Sequence, residues 1–113
     1  MVIEQAQQLD RAFFALSDPT RRAILLRLSE SPATVSELMD PFALSQPTIS
    51  KHLKVLEQAG LIETGREAQK RPRRLSPTSM MDLADWIEPF RRQWDARLDN
   101  LEAHLESVKK QEQ

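Results

Sequence analysis

The sequence contains no cysteine, and that absence removes several functional classes at once. Disulfide scaffolds, zinc knuckles and thiol catalysis all require the residue, and a cysteine-free chain suits a reducing cytoplasm. Glycine is scarce too: two glycines in 113 residues build no glycine-rich phosphate loop. The only histidines, His52 and His104, lie far apart in the chain. No nucleophile–base–orienter set and no metal triad can be nominated, so an enzyme is not expected. No apolar run approaches the ~18 residues of a membrane span, and the amino terminus lacks a basic-then-apolar signal pattern. The expected location is the cytoplasm, with no membrane partner.

What the sequence does have is a globular composition, 40% hydrophobic and 29% charged, at a length that suits one domain over residues 1–113. Its formal net charge of −1 hides a strong asymmetry. Residues 1–43 carry net −2, residues 44–76 net +4, and residues 77–113 net −3. A basic block between acidic arms is the footprint of a small nucleic-acid reader.

Helical periodicity opens the chain over about 3–17, with Ile3, Ala6, Leu9, Phe13 and Leu16 recurring at three and four. Asp18-Pro19 then starts a second helix, the aspartate as N-cap and the proline in the first turn. Ile24, Leu25 and Leu28 point inward from it, and Arg21, Arg22 and Arg27 are assigned to wetter faces. Thr34 with Glu37 three residues on spells a capping box for a short third helix, which Asp40-Pro41 is expected to end. Ser45 as N-cap and Pro47 in the first turn begin a fourth helix, stopped by Gly60. The pair, about 34–58, reads as a helix-turn-helix.

The fourth helix has two distinct sides. Ile49, Leu53 and Leu56 form its apolar stripe, while Pro47, Lys51, Lys54 and Gln58 point away from it. Its N-terminal end would meet base edges, with Gln46 suited to adenine and Thr48 to a thymine methyl or a base edge. Ser50, Lys51 and Lys54 suit phosphates. His52 sits beside the apolar stripe, and a structural hydrogen bond within the motif is preferred over DNA contact. Thr34 and Ser36 can donate to a phosphate at a helix N-terminus, with plain capping as the alternative.

Beyond Gly60 the pattern changes to two short strands over about 61–76 around the tip GREAQKRP, a basic hairpin. Arg66, Lys70, Arg71 and Arg73 would straddle the DNA backbone or probe a minor groove there. A last helix over about 78–109 carries Leu83, Ile87, Phe90, Trp94, Leu98, Leu101, Leu105 and Val108 in steps of three and four. This heptad-like seam, together with Leu9 and Phe13 of the first helix, predicts a homodimer through the terminal helices. Pro89 inside it predicts a kink. The fold class expected is mainly α with one small β-hairpin.

Three stretches now resemble the ArsR (arsenic-repressor) family of winged-helix transcriptional repressors: FFALSDPTRRAILLRLSE, VSELMDPFALSQPTISKHLKVLEQAGLIETGRE and the basic wing. The tail DWIEPFRRQWDARLDNLEAHL is similar to a metal-free branch of that family. The resemblance implies a homodimer, held by its terminal helices, that binds a double-stranded DNA operator and represses transcription. It also implies where a metal would sit. Where one family site has Glu-Leu-Cys-x-Cys, this chain has Glu37-Leu38-Met39-Asp40-Pro41, without the paired cysteines. The other family site finds only Asp82, Asp85, Glu88 and a single His104. No metal and no cofactor are therefore expected, and a small-molecule effector is left open. Two alternatives stand beside this reading: a metal-responsive repressor, and a helical protein-interaction module whose basic wing is merely solvated.

Overall fold

The computed structural model describes residues 2–112, and the side chain of Ile3, named above, lies outside its described part. Five helices and two strands follow in order: α1 (Val2–Leu16), α2 (Pro19–Leu28), α3 (Val35–Phe42), α4 (Gln46–Gln58), β1 (Ile62–Thr64), β2 (Arg73–Leu75) and α5 (Pro77–Glu112). The chain divides into two compact units, one ending at Leu83 and the other beginning at Ala84.

Helix starts follow the local code. Asp18 caps α2, accepting a hydrogen bond from the Arg21 backbone N–H at 3.0 Å. Thr34 and Glu37 close the capping box of α3 reciprocally. Ser45 departs from this pattern. It occupies the N-cap position of α4 without a side-chain capping bond, because its hydroxyl pairs with that of Thr48 at 3.0 Å.

Two expectations about α3 and α2 need correction. Asp40-Pro41 does not end α3, which continues through Pro41 to Phe42. Proline lacks the N–H that would bond Glu37, but in the final turn that loss is local, and Phe42 packs against the core. The helix closes instead on Ala43, left-handed at φ 52°, whose N–H donates to the Asp40 carbonyl. Arg21 is not on a wet face either: it is buried, at 9% exposure.

The core of the first unit gathers Ala12, Ala15, Ile24, Leu25, Leu28, Leu38, Ile49, Leu53, Leu56 and Leu61. α4 is capped at its C-terminus by Ala59, and Gly60 turns the chain at φ +73°, the left-handed region that glycine enters without strain. A Cβ there would also lie 2.8 Å from the Ser79 hydroxyl, so the close approach of α5 depends on the missing side chain.

The hairpin is antiparallel, in the register Ile62 to Leu75, Glu63 to Arg74 and Thr64 to Arg73. A cross-strand ion pair joins Arg74 Nε to Glu63 at 2.8 Å. Pro72 is tolerated because its carbonyl, not its absent N–H, serves the ladder: it accepts from Gly65 N–H at 2.8 Å. The base of the wing is tied to the segment before α3 by two bonds between Ala33 and Arg73, at 2.7 and 3.0 Å.

In α5, Leu83 is buried in the core of its own chain, which removes it from the seam expected for a partner. Leu9 and Phe13 are also partly buried against that core. From Ala84 to Glu112 every side chain is exposed, including Trp94 at 61%, Leu98 at 44%, Leu101 at 53% and Leu105 at 56%. Trp86 and Phe90 contact one another, ring centroids 5.0 Å apart. The helix runs through Pro89 without interruption. No helix among the described residues is long and apolar enough to cross a membrane.

Candidate nucleic-acid interface

α4 presents the two sides its spacing implied. Ile49, Leu53 and Leu56 are at most 1% exposed and anchor the helix on the core. Gln46, Lys51 and Lys54 are exposed, and Thr48 and Ser50 are half-buried at the flanks. Among the described residues, no ion pair occupies Lys51, Lys54, Arg66 or Arg71. These cations keep their charge available for an external anion, and surface charge of this kind dominates affinity for a nucleic-acid backbone.

The wing brings its basic residues together through its own turn. Glu67 and Lys70 exchange backbone hydrogen bonds at 2.9 and 3.1 Å, closing the tip around exposed Arg66, Lys70 and Arg71. Arg73 behaves differently from its neighbours. It is half-buried and faces α4 across a cleft of about 490 Å³ lined by Ser50, Leu53, Lys54, Glu57, Gln58 and Arg73.

Thr34 is already engaged. Its hydroxyl donates to Glu37 at 3.0 Å, and its backbone N–H donates to the same carboxylate at 3.1 Å. Those two bonds, backbone first, hold the Glu37 carboxyl below its ordinary value of 4.5, aided by the charges of Lys70 and Arg27. An ionised carboxylate at the N-terminus of α3 competes with a phosphate for the same donors. Ser36, exposed beside it, has no such tie.

A feature missed in the sequence anchors α4 from behind. The Arg21 guanidinium donates to the Ala15 carbonyl at 2.7 Å and to the Phe14 carbonyl at 3.2 Å, and it lies over the Phe14 ring. Its Nη1 lies 3.5 Å from Nδ1 of His52, and Asp18 lies 4.0 Å from the same ring nitrogen. His52 therefore joins α4 to the α1–α2 corner, a structural contact as expected, but with partners outside the helix-turn-helix and not within it. The signal was present in the sequence: Arg21 shares its helix face with Ile24, Leu25 and Leu28.

Asp18 is held below its ordinary value of 3.8, first by the Arg21 backbone N–H and then by the charges of Arg21 and His52. Both depressed carboxyls favour the folded state above their ordinary values, and this contribution is lost as pH falls through the lowered values. Thermal melts from neutral pH into acid should therefore decline below the ordinary carboxylate range. A doubly substituted Asp18→Asn, Glu37→Gln chain should show a shallower acid decline, and an unchanged slope would refute these assignments.

Among the described residues, no group of three or more His, Asp or Glu side chains stands together as a metal site. The structure thus defines a winged helix-turn-helix whose exposed, cationic face lies on α4 and the wing. Residues 16–65 match the sequence pattern of a helix-turn-helix domain. The HTH-type transcriptional regulator Rv2034 of Mycobacterium tuberculosis is 41% identical over 81 residues, 72% of this chain and 76% of that protein. The transcriptional repressor SdpR of Bacillus subtilis is 37% identical over 82 residues, 73% of this chain and 91% of that protein. Among solved structures, an ArsR-family transcriptional regulator, RHA00566, superposes with a TM-score of 0.69 at 39% identity, covering 80% of this chain and 93% of the other. The chain belongs to the ArsR family of winged helix-turn-helix transcriptional regulators. That family consists of regulators and not enzymes, and DNA binding through the helix-turn-helix is its mode of action.

Proposed function

We propose that the protein is a cytoplasmic homodimeric repressor that reads a double-stranded DNA operator with α4 and grips the backbone with its wing. The observation that carries this reading is the division of labour on α4: three side chains buried on one face, two unpaired lysines away from it, and Gln46 exposed at the N-terminal end of the helix. Gln46 and Thr48 read bases; Ser50, Lys51, Lys54, Arg66, Lys70, Arg71 and Arg73 meet phosphates, and Ser36 adds a contact at the start of α3. Thr34 acts chiefly as a cap.

The dimer forms along the exposed stripe Ile87, Phe90, Trp94, Leu98, Leu101 and Leu105 of α5, and Leu9 and Phe13 of α1 contribute to the interface. A helix with this much exposed apolar side chain is covered most simply by a second copy. No metal or cofactor enters the reading, and any effector acts by binding the DNA-competent and released dimers with different affinity.

Fluorescence anisotropy with the protein's own upstream region tests this function directly. Two kinds of substitution should separate. Lys51→Ala and Arg71→Ala should weaken binding to every sequence and flatten the salt dependence by up to ~0.9 in log–log slope per phosphate contact. Gln46→Ala should relax preference at one base pair per half-site, by roughly 1–3 kcal/mol. A uniform loss in Gln46→Ala across all sequences would remove it from the base-reading set.

A further inference from the structure

Nδ1 of His52 stands between two neighbours that make opposite demands on it. Arg21 Nη1 lies 3.5 Å away and Asp18 Oδ2 4.0 Å away. A guanidinium has only donors, so it needs a lone pair on Nδ1; a carboxylate has only acceptors, so it needs a hydrogen there. A neutral ring with its proton on Nε2 satisfies Arg21. A protonated ring satisfies Asp18 and sets its own N–H against the guanidinium. Neither neighbour is free to adapt. Arg21 is tied to the Ala15 and Phe14 carbonyls, and Asp18 caps α2 through the Arg21 N–H.

Between pH 5 and 8 neither neighbour changes charge. Arginine stays protonated, and the Asp18 carboxyl is held below its ordinary value of 3.8. Histidine is the side chain that ordinarily titrates in that range. Among the described residues, no other charged group interacts with the ring. Of the elements packed on α4, α1 brings Glu4, Asp10 and Arg11, α3 brings Glu37 and Asp40, and β1 brings Glu63, all exposed. In α2, Arg22 is exposed and Arg27 donates to Ser31. Lys51, Lys54 and Glu57 of α4 itself are also exposed.

We propose that protonation of His52 is a pH switch on operator binding: the neutral ring seats α4 for DNA, and the protonated ring draws the helix off that seat. The proposal rests on the DNA-binding reading above. The ring is carried by α4, whereas both of its partners belong to the start of α2, so a change of partner changes where α4 sits. Asp18 lies beyond hydrogen-bond reach, and a protonated Nδ1 closes about 1 Å to bond it. With its side chain only 19% exposed, the ring is confined, and the displacement passes to the helix. The seat described here, with the ring nearer Arg21, is the one that presents Gln46, Lys51 and Lys54 together. Sign separates this switch from simple electrostatics. An added positive charge near DNA tightens binding, whereas the switch weakens it as pH falls.

Fluorescence anisotropy of the full-length protein with its operator duplex, at constant ionic strength from pH 7.5 to 5.5, tests the switch. Affinity is expected to fall about tenfold across that range, toward the low end of the 5–150-fold that coupled sites span. His52→Gln offers an oxygen to Arg21 and an N–H to Asp18 without titrating, and should hold its affinity throughout. His104→Gln should lose affinity as the parent does. In ¹⁵N-labelled parent protein at pH 8, the ring nitrogens of His52, told from those of His104 by His104→Gln, should show Nε2 protonated and Nδ1 bare. An Nδ1–H tautomer overturns the switch, as does a parent whose affinity is constant or rises on acidification; both leave DNA binding standing. The same loss in His52→Gln as in the parent also overturns it. So does a loss of helix by circular dichroism at pH 5.5, which would make the weakening an unfolding. Absence of duplex binding at every pH overturns both readings.

Discussion

Replacing Leu98 and Leu101 together by glutamate is expected to turn the protein into a monomer in light scattering at micromolar concentration, and to abolish operator binding in the same sample. Both leucines lie in the exposed stripe of α5, at 44% and 53% exposure in the isolated chain. Fully burying a leucine is worth roughly 1.5–3 kcal/mol, and a two-fold dimer would bury four of these side chains. Their loss removes roughly 6–12 kcal/mol as an upper figure, whereas a micromolar dimer is held by only about 8 kcal/mol. Four carboxylates in the same seam add repulsion. Glutamate is a good helix former, so α5 itself is retained and circular dichroism should show it. Operator binding falls with dimerisation because two half-sites read by one rigid body multiply their affinities. A double variant that stays dimeric would place the interface elsewhere. One that is monomeric but binds the operator undiminished would separate assembly from recognition.

The second large effect is expected at Arg21, which contacts no DNA in this reading. Arg21→Met keeps most of the aliphatic stem but removes the guanidinium, leaving the Ala15 carbonyl without its 2.7 Å donor and Phe14 without its 3.2 Å one. Hydrogen bonds from charged groups contribute about 1.5–3 kcal/mol, so a loss of roughly 3 kcal/mol is anticipated. For a domain of this size that lowers the melting temperature by roughly 10 °C. The same change releases His52, and with it the recognition helix from the α1–α2 corner. Operator affinity measured well below the melting temperature should therefore also fall, while the salt slope stays as in the parent because no phosphate contact is lost. A changed salt slope would mean that Arg21 touches the DNA backbone after all. Unchanged stability would mean that water replaces its bonds to the two carbonyls at no cost.

The caps illustrate what is readable in a sequence. Asp18 reaches the Arg21 N–H, and Thr34 and Glu37 bond one another, because partners three residues apart are set by helix geometry alone. Gly60 ends α4 for an equally local reason, the left-handed backbone. Ser45 shows the edge of that legibility: Thr48 lies at the same spacing and offers a competing hydroxyl. Pro41 shows another, since its rule as a helix breaker weakens in a final turn that Phe42 holds against the core.

The sequence by itself determined the order of elements, the two-sided character of α4, the position of the wing and the family. Each is encoded in local propensity, in a repeat of about 3.6 residues or in a run of charge. Only the tertiary structure decided which apolar and charged groups are used inside the chain. Leu83 and Leu101 belong to one seam by spacing, but Leu83 is covered by its own core and Leu101 is exposed. Arg21 and Arg22 are neighbours of identical chemistry, yet only Arg21 is buried, within reach of the carbonyls that end α1. Arg73 reads as one more wing cation, but its Nε is buried without a hydrogen-bond partner where β2 is pinned to Ala33. Periodicity states which face a residue occupies; what covers that face depends on segments distant in the chain, and burial of a charge depends on the acceptors those segments bring.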